Sequence, residues 1–299
     1  MNHAITLGKL NMRNPLVLLS GTAGYGIEMK DLVDLKKVGA VVAKTVTLEA
    51  KAGNKPPRIT EVYGGVVNAI GLENPGVDVF MKKYWPQVVK LPTEMVISVG
   101  GHSEDEFVAC FERFAHDKTV KAVEINLSCP NVRAKKLISQ DDEMTASLIT
   151  RLKKMTHASI IAKLTPQVND ITAIARAAES AGADALCLVN TFPAMKIDIN
   201  KRKPSLGNVY GGLAGRCVKP MAVRAVHLCA KQVKIPIIAS GGVYSWEDAI
   251  EFIMAGATAV GIGTANFTYP DIAERILKGM DAYANKNKLS SWAEIRGIV

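Results

Sequence analysis

Short apolar runs rich in β-branched residues recur along the chain at 16–19, 40–43, 95–99, 122–125, 159–162, 185–189, 235–239 and 259–262. They are near-continuous rather than alternating, the pattern of parallel strands buried on both faces. Between several of them the spacing turns helical. Ser103-x-x-Glu106 reads as a capping box, followed by Phe107, Cys110, Phe111 and Phe114 at helical intervals. Asp141 or Asp142 can cap a helix carrying Met144, Leu148, Leu152 and Met155, and Asn169 or Asp170 one that Gly182 closes. Ser245-x-x-Asp248 is a second capping box, its helix ending near Gly256. Eight strands with intervening helices predict an α/β fold, a (β/α)8 barrel of the TIM type, with residues 1–299 as one domain. A doubly wound sheet is the rival, but it gives no reason for eight recurring units.

The residues that follow the strands are Ser20-Gly21, Lys44-Thr45, Ser98, Asn126, Lys163, Asn190-Thr191, Gly241-Gly242 and Gly263-Thr264. Every strand hands a small or polar group to one face, which predicts an enzyme with its site on the C-terminal rim. Two connections, 46–92 and 192–216, are longer than a plain barrel needs and rich in glycine, so they read as loops inserted on that face.

Composition narrows the function. A hydrophobic share of 48% supports a large core, and no apolar run reaches membrane-spanning length. The N-terminus lacks a signal pattern, so the expected location is cytoplasmic. The net charge of +9 comes from scattered lysines and arginines, with aromatics at only 6%, which argues against nucleic acid. Cysteines 110, 129, 187, 217 and 229 form no C-x-x-C pair, so neither disulfides, a structural metal nor an iron–sulfur centre is expected. Cys110, Cys187 and Cys229 read as core residues, and Cys217 as only weakly reactive.

The stretch Asn126-Leu127-Ser128-Cys129-Pro130-Asn131 concentrates the chemistry. Asparagine amides both donate and accept, and a cysteine beside them can act as base or nucleophile, against the plainer reading of a turn with a buried thiol. Glycines 241, 242 and 263 with Thr264, helped by Gly215, suit a phosphate held on backbone N–H groups. That fits FMN, pyridoxal phosphate or a sugar phosphate. Lys163 is either a Schiff-base lysine, a cation beside an electron-rich cofactor, or half of a structural ion pair.

Taken together, the motifs resemble the class 1 dihydroorotate dehydrogenases over nearly the whole chain. They are Asn14-Pro15 with Ser20-Gly21, Lys44-Thr45-Val46-Thr47-Leu48, Gly53-Asn54 through Pro57-Arg58, Asn68-Ala69-Ile70-Gly71-Leu72-x-Asn74-Pro75-Gly76, Asn126 to Val132, Lys163-Leu164-x-Pro166, Asn190-Thr191, Gly211-Gly212-Leu213-x-Gly215 with Lys219-Pro220, and Thr264-Ala265-Asn266-Phe267. Two of them resemble the 1B branch, whose members pass electrons to NAD+ through a partner subunit carrying FAD and a [2Fe–2S] cluster.

The resemblance implies oxidation of dihydroorotate to orotate in pyrimidine biosynthesis. Cys129 would remove the C5 proton while the C6 hydride goes to N5 of FMN. Lys44, Asn68, Asn126, Asn131, Asn190 and Thr191, with the backbone of Ala69, Ile70, Gly71 and Leu72, would grip the substrate. Ser20, Lys44, Thr45, Ser98, Asn126, Lys163 and Val189 would line the flavin, and Gly215, Gly241, Gly242, Gly263 and Thr264 its phosphate. A homodimer joined by two electron-transfer subunits is the implied assembly. The chain departs from relatives at Ser98, where they have asparagine, and at Thr22-Ala23-Gly24, where they commonly have Cys-Phe-Gly. It also reads Arg133-Ala134-Lys135-Lys136-Leu137-Ile138-Ser139-Gln140 where they have a glycine-rich loop over the substrate. The other readings are a fumarate-dependent enzyme, a flavin oxidoreductase of another dihydropyrimidine, and a non-catalytic flavin-binding subunit.

Overall fold

The computed structural model describes residues 1, 3–128 and 138–299. Eight parallel strands close into a barrel: β1 (Leu16–Leu18), β2 (Ala40–Val42), β3 (Glu94–Val99), β4 (Ala122–Asn126), β5 (Ser159–Lys163), β6 (Ala185–Leu188), β7 (Ile237–Ser240) and β8 (Ala259–Ile262). Each pairs with its neighbour in sequence, and β8 returns to β1 through Val260↔Leu16, Gly261↔Val17 and Ile262↔Leu18.

Side chains alternate across each strand and both faces are buried, which is why the sequence shows runs rather than alternation. On β4, Val123 and Ile125 pack outward against the helices, while Ala122 joins an inner cluster with Val17, Val42, Val96, Ile161 and Ile238. The hairpin Ile5–Leu7/Leu10–Met12 sends Leu7, Leu10 and Met12 into that inner cluster. It meets the first inward residues of the strands, Ala40, Ala122, Ala185 and Ala259, so it plugs the N-terminal mouth. The polar groups lie at the other end.

The helix caps follow the sequence. Ser103 accepts from the N–H of Glu106, Asp141 from Met144 and Asp170 from Thr172, and Ser245 with Asp248 forms a complete capping box. Around Ser103 the partner differs, since the Glu106 carboxylate accepts from the backbone of His102. Among the described residues no helix is long and apolar enough to cross a membrane.

The two inserted connections are not plain loops. Phe192–Met195, Tyr210–Gly215, Gly65–Asn68 and Ile59–Val62 form a four-stranded antiparallel sheet over a small core of Val67, Ala69 and Leu206. Glycine hid these strands, because here it serves close packing rather than turning. A Cβ on Gly211 would stand 2.3 Å from the Asn68 carbonyl oxygen, and one on Gly212 would meet Thr191 Oγ1.

Candidate active site

The inner face of the barrel changes from apolar to polar one layer below the C-terminal rim. Period two carries Ala122 to Glu124 and Asn126 on β4, Val96 to Ser98 on β3, Ile161 to Lys163 on β5 and Ile238 to Ser240 on β7. The resulting side chains are connected. Lys163 Nζ lies 3.4 Å from Glu124 Oε1, and Ser98 Oγ donates to the same oxygen at 2.9 Å. Ser98 Oγ is 2.9 Å from Thr45 Oγ1, Asn126 Nδ2 donates to Thr45 Oγ1 at 3.4 Å, and Asn190 Nδ2 donates to Asn126 Oδ1 at 3.2 Å. The Thr191 N–H closes the line by donating to Asn190 Oδ1 at 2.8 Å. Six residues singled out in the sequence, Thr45, Ser98, Asn126, Lys163, Asn190 and Thr191, are thus joined through one that was passed over.

That residue is Glu124. It is fully buried, and its Oε2 has no partner among the described residues. Its signal was a lone carboxylate inside an otherwise apolar strand, a costly placement unless the charge has a use. Burial works against the charge on Lys163, but the adjacent carboxylate outweighs it and holds the ammonium above the ordinary lysine range. Both the ion-pair and the site reading of Lys163 therefore apply. Cys187 shares this chamber; burial, reinforced by Glu124, pushes its thiol up to about 12, so it stays protonated. Burial does the same to Cys110 and Cys229, while Cys217 is exposed.

A second group gathers around the glycines. Gly215, Gly241 and Gly242 all have positive φ, at 123°, 123° and 83°. A Cβ on Gly242 would stand 3.0 Å from the Gly215 carbonyl oxygen and 2.7 Å from Lys219 Cβ, so the end of the inserted sheet and the end of β7 meet here. Among the described residues, the backbone N–H groups of Gly241, Gly242, Gly263 and Thr264 donate no hydrogen bond. Ser240 Oγ donates to the carbonyl of buried Val189 at 2.7 Å, tying this group to the polar line.

The segment 68–72 is held from below by two motif asparagines, Asn54 and Asn74. Asn54 Nδ2 donates to the Ala69 carbonyl, the Asn54 N–H to that of Ile70, and Asn74 Nδ2 to that of Leu72. Gly71 and Leu72 both take positive φ, at 80° and 54°. A Cβ on Gly100 would come 3.5 Å from Leu72 and 2.9 Å from Thr45, so this segment reaches the polar line. Asn68 donates to the Gly212 carbonyl at 3.1 Å. Lys44 is partly buried and Ser20 buried at the ends of β2 and β1. Cys129, Asn131 and residues 133–137 of the altered loop lie outside the described residues; Ser128, just before them, has a buried hydroxyl with no partner among those described.

A chamber of amides, hydroxyls and ammonium groups beside unfilled backbone N–H groups suits a flat, amide-edged anion together with a phosphate-bearing cofactor. Comparison with known proteins agrees. The family model described as dihydroorotate dehydrogenase matches residues 3–283. The dihydroorotate dehydrogenase B (NAD(+)) catalytic subunit of Carboxydothermus hydrogenoformans is 42% identical over 299 residues, covering 100% of this chain and 97% of its own length. The subunit of the same name from Desulforamulus reducens is 44% identical over 298 residues, 99% of this chain and 98% of its own. The solved dihydroorotate dehydrogenase of Eimeria tenella, in complex with ferulenol, superposes with a TM-score of 0.82 at 23% identity over 99% of this chain and 88% of that one, a likeness of fold.

Proposed function

Because the chain belongs to the dihydroorotate dehydrogenase family, we propose that it is the catalytic subunit of an NAD+-linked enzyme that oxidises dihydroorotate to orotate in pyrimidine biosynthesis. The observation that carries this reading is the hydrogen-bonded line from Asn190 to Lys163, set at the C-terminal end of the barrel beside the glycine group. The substrate is a planar ring with amide edges and a carboxylate. Asn68, Asn126, Asn131, Asn190 and Thr191 match the edges, Lys44 the carboxylate, and the fixed backbone of 69–72 one rim of the pocket.

The residues also fit FMN. Three glycines in left-handed or extended-positive backbone keep side chains out of the cradle, and four neighbouring N–H groups have no acceptor among the described residues. Gly215, Gly241, Gly242, Gly263 and Thr264 would hold the phosphate, while Ser20, Lys44, Thr45, Ser98, Asn126, Lys163 and Val189 would line the rest. FMN, when bound, supplies the hydride acceptor. The chain supplies the base, Cys129, and the groups that orient the C5–H towards it. FAD and a [2Fe–2S] cluster belong to an electron-transfer partner subunit, in an assembly built on a homodimer of this chain in the cytoplasm.

Anaerobic dihydroorotate should bleach the flavin of the purified chain, whereas dihydrouracil, which lacks the carboxylate, should not. The chain alone should then reduce a dye, but neither NAD+ nor fumarate, at a useful rate. Bleaching by dihydrouracil would reassign the substrate, efficient use of fumarate would reassign the acceptor, and efficient use of NAD+ without a partner would remove the two-subunit scheme.

The cradle has its own test. Gly242→Val places a β-branched side chain at φ 83° against Lys219 and the Gly215 carbonyl, so the chain should purify largely colourless and lose about 1–3 kcal/mol of stability. Gly263→Ala is the control, since its Cβ would meet Leu19 at an ordinary 3.7 Å. It should fold as well as the wild type. A fully yellow Gly242→Val protein would refute the cradle.

A further inference from the structure

We propose that Glu124 is the terminal acceptor of a one-way hydrogen-bond relay that fixes the amide orientation of Asn126 and Asn190, and thereby decides which groups these two residues present to the ligand. The direction follows from elementary donor counting. Paired with the Lys163 ammonium, the Glu124 carboxylate can only accept, so the Ser98 hydroxyl must donate to it. Ser98 has one hydrogen, so Thr45 must donate to Ser98. Thr45 has one hydrogen as well, so it can only accept from Asn126, and the Asn126 group facing it must be the NH2. That turns Asn126 Oδ1 towards Asn190, whose facing group must in turn be its NH2. The Asn190 carbonyl then receives the Thr191 N–H.

Each step is forced by the one before it. The outcome is that Asn126 and Asn190 each keep one N–H unused by the relay. Two donors, at the ends of β4 and β6 on either side of β5, favour a ligand edge of carbonyl or carboxylate oxygens, and they disfavour one made of N–H groups. Reversing the relay would swap a donor for an acceptor at both positions. Glu124 therefore acts from a distance as a positioning residue. Ser98 gives this chain its particular form, since its short hydroxyl bridges Thr45 and the carboxylate.

The experiment uses the full chain as purified, isotope-labelled at asparagine. Glu124→Leu keeps a similar volume but removes the acceptor on which the relay ends, so the side-chain amide resonances of Asn126 and Asn190 should both shift. Ser98→Ala and Thr45→Val break the relay without removing the Glu124–Lys163 pair and should shift Asn126 likewise; these two carry the test if Glu124→Leu fails to fold. The second readout rests on the proposed function. Orotate affinity, read from the absorption of bound FMN, should weaken about tenfold in Glu124→Leu. Adding Ser98→Ala to that variant should cost less than about twofold more, because the link is already broken. Unshifted amide resonances, or losses that simply multiply, would overturn the relay. A wild type that binds FMN but not orotate would instead overturn the substrate assignment, and the amide resonances would still decide the relay.

Discussion

Replacing Cys129 with serine is expected to leave FMN bound and to slow its reduction by dihydroorotate by about 10²- to 10⁴-fold near neutral pH, the usual worth of a positioned general base. The reason is the proton affinity of the group rather than its shape. A free thiol ionises near pH 8.5, so a modest environmental push makes a thiolate available, whereas a serine hydroxyl stays protonated across the accessible range. Cys129 follows Ser128 three residues beyond Asn126, the last residue of β4, which puts it where the barrel delivers its chemistry. The other cysteines offer no substitute: Cys110, Cys187 and Cys229 are held protonated by burial, and Cys217 lies out on the surface. Rapid mixing under anaerobic conditions measures the flavin reduction rate directly, free of the acceptor. Part of the rate should return as the pH is raised. Reduction at the wild-type rate would show that another group takes the proton.

The barrel was legible because parallel strands buried on both faces leave near-continuous apolar runs, and all eight did so. The ring of strand-end residues was legible for a related reason, since a polar residue ending such a run has few structural explanations. What stayed hidden was chemistry carried by residues of the wrong apparent kind. Glu124 sits inside a run that reads as core, and only the neighbouring strands show that Lys163 and Ser98 converge on it. The inserted sheet was hidden because Gly65, Gly211, Gly212 and Gly215 serve close backbone approach, which resembles loop composition in one dimension. Asn54 and Asn74 were visible as motif residues. Their task was not, because a side chain that holds a backbone carbonyl leaves no periodic trace. Ser98 read as a flavin-lining residue that departs from relatives, and in the fold it is also a link between Thr45 and Glu124.

The Glu124–Lys163 pair leads to the largest expected change in stability. Lys163→Met should destabilise the flavin-free chain by about 3–5 kcal/mol, the usual cost of leaving a buried charge without its partner. Methionine fills the space of the lysine stem, so packing is nearly preserved and the loss is electrostatic. Glu124, fully buried, would keep only the Ser98 hydroxyl and the Cys187 thiol, neither of which carries a compensating charge. The double variant Lys163→Met/Glu124→Leu should recover most of the loss, because an apolar pair of similar volume removes both desolvation penalties together. In the wild type, Lys163 titrates above its ordinary 10.5. The stabilisation from its charge is therefore fully present below that value and is lost as the pH climbs through the raised one. Urea midpoints of the three flavin-free proteins at neutral pH make the comparison. A single variant as stable as the wild type, or a double variant weaker than the single, would mean that the pair is not what holds this layer of the barrel. The stable double variant should nevertheless lose orotate affinity as Glu124→Leu does, since leucine cannot accept from Ser98. Stability and ligand orientation would then be separable properties of one carboxylate.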